Sequence, residues 1–159
     1  MALVSVQITG LQELIAKCVA PVHAAPVRKA FTDSALDLEA KAKSLTPRKT
    51  GNLQRSILHR IDSAPIPTFA EVGLLGGGPA GPLGQRYGVY VHEGTAPHEI
   101  RPKRAKALFW RGARHPVRSV HHPGTRAQPF LRNALTALHG RIQSYFDRAA
   151  RDIESSWGK

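Results

Sequence analysis

The feature that most limits the possible folds is a long amphipathic stripe in the C-terminal part of the chain. Beyond Pro129, apolar residues recur three or four positions apart over about six helical turns. The stripe consists of Leu131, Leu135, Leu138, Ile142, Tyr145 or Phe146, Ala149 and Ile153. This spacing predicts a long helix with one buried face. Pro129 suits the first helical position, and Gly158 lies just past the predicted end.

A second stripe with the same period follows Pro26. Its members are Val27, Phe31, Ala35, Leu38, Ala42 and Leu45. Because Pro47 disfavours helical geometry in the residue before it, the predicted helix ends near Leu45. Glu39 and Lys43 form an acid-before-base pair on its exposed side. The sequence therefore predicts two long helices, each with an apolar face to cover.

Between the two helices the hydrophobic period changes to two, which is typical of strands. The candidate strands are residues 57–62, 68–74, 98–101, 106–111 and 116–121. A short strand at 3–8 and a short helix at 11–19 are predicted before the first long helix. The order of helix, strands and helix, without βαβ alternation, predicts an α+β fold. We expect one small antiparallel sheet packed against two long helices.

The chain length of 159 residues suits a single domain, residues 1–159. Residues 75–85 are rich in glycine and proline and offer little to bury. They are predicted to form a flexible surface loop. No run approaches the roughly 20 apolar residues of a membrane span, and the first ten residues lack the basic start of a signal peptide. We expect the chain to remain in the compartment where it is made.

The formal charge of +12 is unevenly distributed. Residues 86–126 contain nine lysines and arginines against two glutamates, a balance of +7. Such a patch is typical of proteins that bind nucleic acid, an acidic protein or an anionic surface. The candidate partner-contact residues are Arg101, Lys103, Arg104, Lys106, Arg111 and Arg118.

The motifs of common enzymes and metal sites do not occur in the sequence. His92 and His98 are six residues apart with Gly94 and Pro97 between them, whereas a zincin needs histidines one helical turn apart. The glycine-rich segment lacks the Gly-Lys-Ser/Thr end of a P-loop, and no Gly-x-Ser-x-Gly elbow occurs. The single cysteine, Cys18, lies in an apolar stripe. We predict no catalytic residue, no metal and no cofactor.

Three separated segments resemble a known family. They are TPRKTGNLQRSI at 46–57, YGVYVHEGTAPHEIRPKRAKALFW at 87–110 and HHPGTRAQPFLRNAL at 121–135. In this order the chain resembles the tail-completion, or head–tail joining, proteins in the neck of long-tailed double-stranded DNA bacteriophages. His92 before Glu93 and the Gly/Pro insertion at 75–85 depart from the commoner pattern of that family.

Residue chemistry within these segments predicts turns and core positions. The predicted turn residues are Gly51, Gly94, Thr95, Pro123 and Gly124. Glycine allows positive φ, and the threonine hydroxyl is expected to bond local backbone. The expected core anchors are Phe31, Leu38, Phe130 and Leu131. The His-Glu pairs are accordingly interpreted as part of a turn.

The resemblance implies a non-enzymatic subunit of a ring, a hexamer in most such proteins, that completes the tail and helps join it to the head. Its implied partners are further copies of itself, the neighbouring connector or stopper, the tail terminator or tail tube, and the DNA in the channel. It implies a place in the virion neck, after assembly in the host bacterial cytoplasm. A tail terminator, from the adjacent layer, is an alternative within this class.

A second alternative is a nonspecific nucleic-acid-binding protein that uses the basic region 86–126. The nearby rings of Tyr87, Tyr90, Phe109 and Trp110 could stack on bases. Phe109 and Trp110 are adjacent, so in a strand they would face opposite sides and form no common platform. Within a neck ring, strong attraction to phosphate would hinder a genome that must slide out, so we favour an acidic protein surface over DNA as the partner of the basic residues.

Overall fold

The computed structural model describes residues 21–75 and 81–157. In chain order the helices are α1 (Pro21–Leu45), α2 (Asn52–Arg55), α3 (Gly81–Glu93) and α4 (Phe130–Trp157). The strands are β1 (Leu58–Ile61), β2 (Ala70–Gly73), β3 (His98–Ile100) and β4 (Val120–His122). The strand predicted at 3–8, the helix predicted at 11–19 and residues 76–80 lie outside the described residues. No helix in the described part of the chain is long and apolar enough to cross a membrane.

The long helices α1 and α4 pack against each other in antiparallel orientation. Phe31 meets Phe146 edge to face, with ring centroids 5.1 Å apart. Further along α1 and further back along α4, the Tyr145 hydroxyl donates to Asp37 Oδ2 at 2.5 Å, and Arg141 Nε lies 2.7 Å from the same oxygen. An apolar contact and a polar cluster therefore fix the alignment of the helix pair.

Helix α1 begins earlier than predicted, since it includes Pro26. A proline within a helix removes one backbone hydrogen bond and strains the turn before it. Pro26 lies near the N-terminal end of a helix of 25 residues, where few turns precede it. The packing of α1 on α4 and on the first strand pair outweighs that local cost.

Most buried hydrophobic residues in the described part of the chain form a cluster where the ends of several elements meet. It contains Ala42, Leu53, Ile57, Val91, Phe130 and Ala134, and Leu38, Val72, Leu74 and Leu131 pack against it. Ala42 and Ala134 are fully buried on the two long helices. Small side chains at these positions allow the helices to approach closely. Phe130 and Ile57 supply the largest fully buried side chains.

The α+β fold class is confirmed, but the prediction of one sheet is wrong. β1 pairs with β2, from Leu58 opposite Gly73 to Ile61 opposite Ala70, and this hairpin packs on α1. β3 and β4 form a second two-stranded antiparallel sheet. Helix α3 lies between the two hairpins in the chain. Alternating hydrophobicity identifies strands but does not determine which of them pair.

The prediction of a flexible loop at 75–85 is wrong for its second half, because residues 81–85 belong to helix α3. Gly88 in this helix is buried, and an added Cβ would lie 2.0 Å from Leu74 Cδ1 and 2.9 Å from Leu53 Cδ1. Glycine thus allows α3 to pack directly on these two side chains. That packing compensates for the low helix propensity of a glycine-rich segment.

Glu39 connects α1 with the first strand pair. Lys43 donates a hydrogen bond to one carboxylate oxygen, and His59 on β1 contacts the other. Burial disfavours the charged form, but the two partners outweigh it and hold the pKa of Glu39 below its ordinary value of 4.5. The resulting stabilisation is fully present above that value and is lost as the pH falls through the lower folded-state pKa.

Candidate interaction surface

Residues 95–125 form an extended hairpin that we name the arm. At its base Thr95 and Thr125 exchange both backbone hydrogen bonds, at 2.9 and 3.0 Å. The β3–β4 ladder follows, with His98 opposite His122 and Ile100 opposite Val120. Leu108 and Val117 form a further bridge, and a turn closes with the Ala113 amide donating to the Trp110 carbonyl at 2.9 Å. The predicted strands 106–111 and 116–121 are therefore only partly formed.

No residue of the arm is buried. The buried core residues all lie before Thr95 or after Thr125. A two-stranded hairpin without a buried side chain is at best marginally stable in water. The arm therefore leaves most of its residues exposed for contact with another molecule.

Two glycines allow the strands of the arm to meet at its base. Gly94 and Gly124 have φ values of 75° and 88°, in the left-handed region. A Cβ on Gly94 would lie 2.5 Å from the Thr125 carbonyl oxygen, and one on Gly124 would lie 2.2 Å from the Thr95 carbonyl oxygen. Both the backbone conformation and the close approach thus require glycine.

We expect Gly124→Ala to open the base of the arm. The positive φ costs an L-residue about 1–2 kcal/mol, and the clash with backbone adds to that cost. Hydrogen exchange at the Thr95 and Thr125 amides should accelerate while exchange in α4 stays unchanged. Gly140→Ala, within α4 and with nothing within 4 Å of the added carbon, is the matched control. It should stabilise the protein by about 0.5–1 kcal/mol. Unchanged protection of the Thr95 amide in Gly124→Ala would contradict the expectation.

All six predicted contact bases are exposed and lie within the arm. Arg101 donates to Glu99 Oε2 from Nε at 3.0 Å and from Nη2 at 2.7 Å. These hydrogen bonds, together with one from Ser119, lower the pKa of Glu99. The other five bases, Lys103, Arg104, Lys106, Arg111 and Arg118, form no ion pair within residues 21–75 and 81–157. The arm therefore presents a cationic surface with little internal neutralisation.

An apolar patch lies next to these cations. Phe109 is 68% exposed and Trp110 49% exposed. With Ile100, Leu108 and Val120 they line an open cavity of about 310 Å³. The expectation that Phe109 and Trp110 face opposite sides applied to a strand, and residues 109–110 lie outside the strands. Both residues line the same cavity.

The His-Glu pairs do not share one turn. His92 and Glu93 end helix α3, whereas His98 and Glu99 belong to β3. The His98 ring stacks on that of His122, with centroids 5.1 Å apart and planes 27° apart. Within the described residues no group of three or more His, Cys, Asp or Glu side chains could hold a metal ion.

The remaining predicted turn residues lie at element boundaries. Gly51 has φ 77° and immediately precedes α2. Pro123 is exposed directly after β4. The prediction for the Thr95 hydroxyl is wrong, because its buried oxygen has no hydrogen-bond partner among the described residues. The backbone bonds to Thr125 use the Thr95 amide and carbonyl, so the side chain takes no part in the turn.

The predicted core anchors differ in burial. Phe130 is 1% exposed, whereas Leu38 and Leu131 pack on the edge of the cluster and are partly buried. Phe31 is partly buried against Phe146. Sequence reasoning missed Val91, a buried residue of α3. The spacing of Leu83, Tyr87 and Val91, with Pro82 near the helix start, was the available signal.

Comparison of the chain with protein-family models, with curated proteins and with solved structures gave no match.

Proposed function

We propose that the protein is a non-enzymatic subunit of a ring in the neck of a phage-like particle, where it completes the tail and helps join it to the head. The observation on which this proposal depends is the arm, residues 95–125, which has no buried residue. A chain that keeps such a hairpin needs a partner to cover it. Assembly with copies of itself and with neighbouring neck and tail proteins would supply that cover. The tail terminator layer fits the same features.

The three segments that resemble the neck-protein family all contribute residues to the core, which supports the proposal. Segment 46–57 contributes Leu53 and Ile57 to the buried cluster, and segment 87–110 contributes Val91. Segment 121–135 contributes Phe130 and Ala134. The three short motifs, far apart in sequence, thus meet in one cluster, as expected if they belong together in one fold.

The cationic surface favours an acidic protein partner over DNA. Strong attraction to phosphate would hinder a genome that must slide through the channel, whereas charge complementarity between proteins speeds and orients docking. Arg101 is already paired with Glu99, but the other five contact bases are available for such a partner.

Native mass spectrometry of the purified protein, with negative-stain microscopy, tests the proposal. We expect a closed oligomer with a central channel, alone or after addition of tails from the parent particle. Loss of the protein from those particles should leave tails unjoined to heads. A protein that stays monomeric in both settings, and whose loss leaves joining intact, would contradict the proposal.

Nonspecific nucleic-acid binding is the second candidate, because Phe109 and Trp110 line one cavity beside the cations. Aromatic faces next to a basic surface are typical of single-strand binding. However, Ile100, Leu108 and Val120 complete that cavity, and aliphatic side chains suit a protein partner better than a stacked base. The same purified protein should give no shift of random DNA near physiological ionic strength. A shift that weakens steeply with salt would favour this second candidate.

A further inference from the structure

A second apolar concavity lies outside the arm, between helices α3 and α4. It has a volume of about 390 Å³ and is lined by Leu74, Gly88, Val89, His92, Glu93, Phe130 and Leu131. We name it the α3–α4 groove. Concavities of 300–1,000 Å³ suit drug-sized ligands, so this one has room for an aromatic side chain. Val89, at its edge, is 55% exposed.

His92 gives the groove a specific polar requirement. Its Nδ1 lies 2.6 Å from Glu93 Oε1. An ionised carboxylate only accepts hydrogen bonds, so Nδ1 donates, and in a neutral imidazole Nε2 is then the acceptor. That Nε2 is buried and has no hydrogen-bond partner within the described residues. An unsatisfied buried acceptor costs about 1–3 kcal/mol, so a ligand with an N–H donor would be favoured.

The tip of the arm has the complementary chemistry. Phe109 and Trp110 are apolar and largely exposed. The Trp110 indole has one polar atom, Nε1, which only donates. The next residue, Arg111, is exposed and unpaired among the described side chains, and Glu93 at the groove has a side chain that is 59% exposed. Apolar character, hydrogen bonding and charge therefore agree between tip and groove.

We propose that the α3–α4 groove of one copy binds the arm tip of a second copy, with Trp110 as the residue that enters. Tip and groove are different patches of the same chain, so the contact is heterologous and leaves one free tip and one free groove on each pair. Repetition of such a contact closes a ring when the rotation allows it. This inference rests on the proposed function and specifies the contact between neighbouring subunits.

The arm is long enough to reach a neighbour. Its shorter side runs from Thr125 to Val117, and at about 3.4 Å per residue these eight steps span roughly 27 Å. That length is comparable to the diameter of a small domain. The tip therefore lies well beyond the base at Thr95, where the arm joins the core.

Disulfide trapping between two differently labelled variants tests the contact. In a Cys18→Ser background, Arg114→Cys, next to the turn at the arm tip, is mixed with Val89→Cys under mild oxidation. Trp110 stays in place, and only a contact between copies forms the mixed disulfide. Because a disulfide requires Cα atoms about 4.4–6.8 Å apart, only close docking is captured. We expect the mixed dimer to form on the order of tenfold faster than by random collision.

The matched control is Ala96→Cys mixed with Val89→Cys, since Ala96 is exposed at the base of the same arm. His115→Cys with Val89→Cys is a second test pair, so that one badly folded variant does not decide the result. All these positions are exposed, and thermal unfolding checks the fold of each variant. Formation of the mixed dimer by tip pairs and not by the base pair supports the inference.

Equal trapping in tip and base pairs overturns the inference. If native mass spectrometry still shows a ring, the proposed function stands and only the assigned contact fails. Faster trapping of Arg114→Cys with itself than with Val89→Cys would indicate a symmetric tip-to-tip contact and also overturns it. Absence of trapping, together with absence of any ring both alone and after addition of tails, would contradict the proposed function itself.

Discussion

Replacement of residues 96–124 by Asn-Gly is expected to leave a folded monomer that no longer assembles. Thr95 and Thr125 already exchange both backbone hydrogen bonds, which is the geometry that flanks a two-residue hairpin turn. An Asn-Gly turn therefore closes the chain at the base of the arm without moving α3 or α4. The buried core residues all remain in the shortened chain.

Two opposing expectations make this replacement informative. Because the deleted residues contribute no buried side chain, the free energy of unfolding should change by less than about 1 kcal/mol, and the shorter loop lowers the entropy cost of closure. Assembly should be lost completely, since the arm supplies the tip that contacts the neighbour. Thermal unfolding by circular dichroism measures the first effect, and analytical ultracentrifugation measures the second.

A charge variant separates the shape of the arm from its cations. Lys103→Gln, Arg104→Gln and Lys106→Gln together remove three unpaired positive charges and keep the hairpin. If assembly depends on the apolar tip, this variant should still self-associate, although docking onto an acidic neighbouring protein should slow. For the Asn-Gly replacement of residues 96–124, a shortened chain that unfolds, or one that still forms rings, would show that the arm has a different role.

The long helices were predictable because the three-to-four-residue spacing of apolar side chains can be read within each segment alone. The stripe beyond Pro129 corresponds to α4, although the buried side differs in detail. Leu135, expected on the apolar face, is 49% exposed, while Ala134 beside it is fully buried. The close packing of α4 on α1 selects the small residue for the contact. Sequence periodicity alone cannot predict that a leucine is less buried than the alanine next to it.

Helix α3 shows where local reasoning fails. Glycine in a helix interior costs about 0.8–1.0 kcal/mol relative to alanine, so a segment with several glycines predicts a loop. Buried Gly88 compensates through contact with Leu74 and Leu53, which lie more than ten positions away in sequence. That contact depends on the tertiary fold and has no local signature.

The candidate site was predictable in composition but not in arrangement. The basic residues and the turn glycines were found from residue chemistry. The α3–α4 groove combines side chains from β2's end, α3 and α4, and its unsatisfied His92 Nε2 follows from a hydrogen bond that only coordinates reveal. Which of these side chains, distant in sequence, meet in the groove is determined by the packing of the core and not by any one segment.

Phe130→Ala should have the largest effect on stability of any single substitution in the described core. Phe130 is 1% exposed and packs with Val91, Ile57 and Ala134. Its ring also meets His92 edge to face, with centroids 5.2 Å apart. Truncation of a buried phenylalanine costs about 3–5 kcal/mol, because the lost apolar contact leaves a cavity. Because the free energy of unfolding of a typical protein is about 5–15 kcal/mol, such a loss removes a large share of it.

Phe109→Ala is the matched control, since it makes the same chemical change on a ring that is 68% exposed. We expect a stability change within about 0.5 kcal/mol. Urea unfolding followed by circular dichroism measures both variants, and the midpoint for Phe130→Ala should fall without a change in slope. The assembly assay should give the opposite ranking. Phe109→Ala should weaken self-association although the monomer is intact, whereas Phe130→Ala should lose assembly only in proportion to its unfolded fraction. Similar stability losses in the two variants would show that the tip is part of the monomer core, and the division between core and arm would then be wrong.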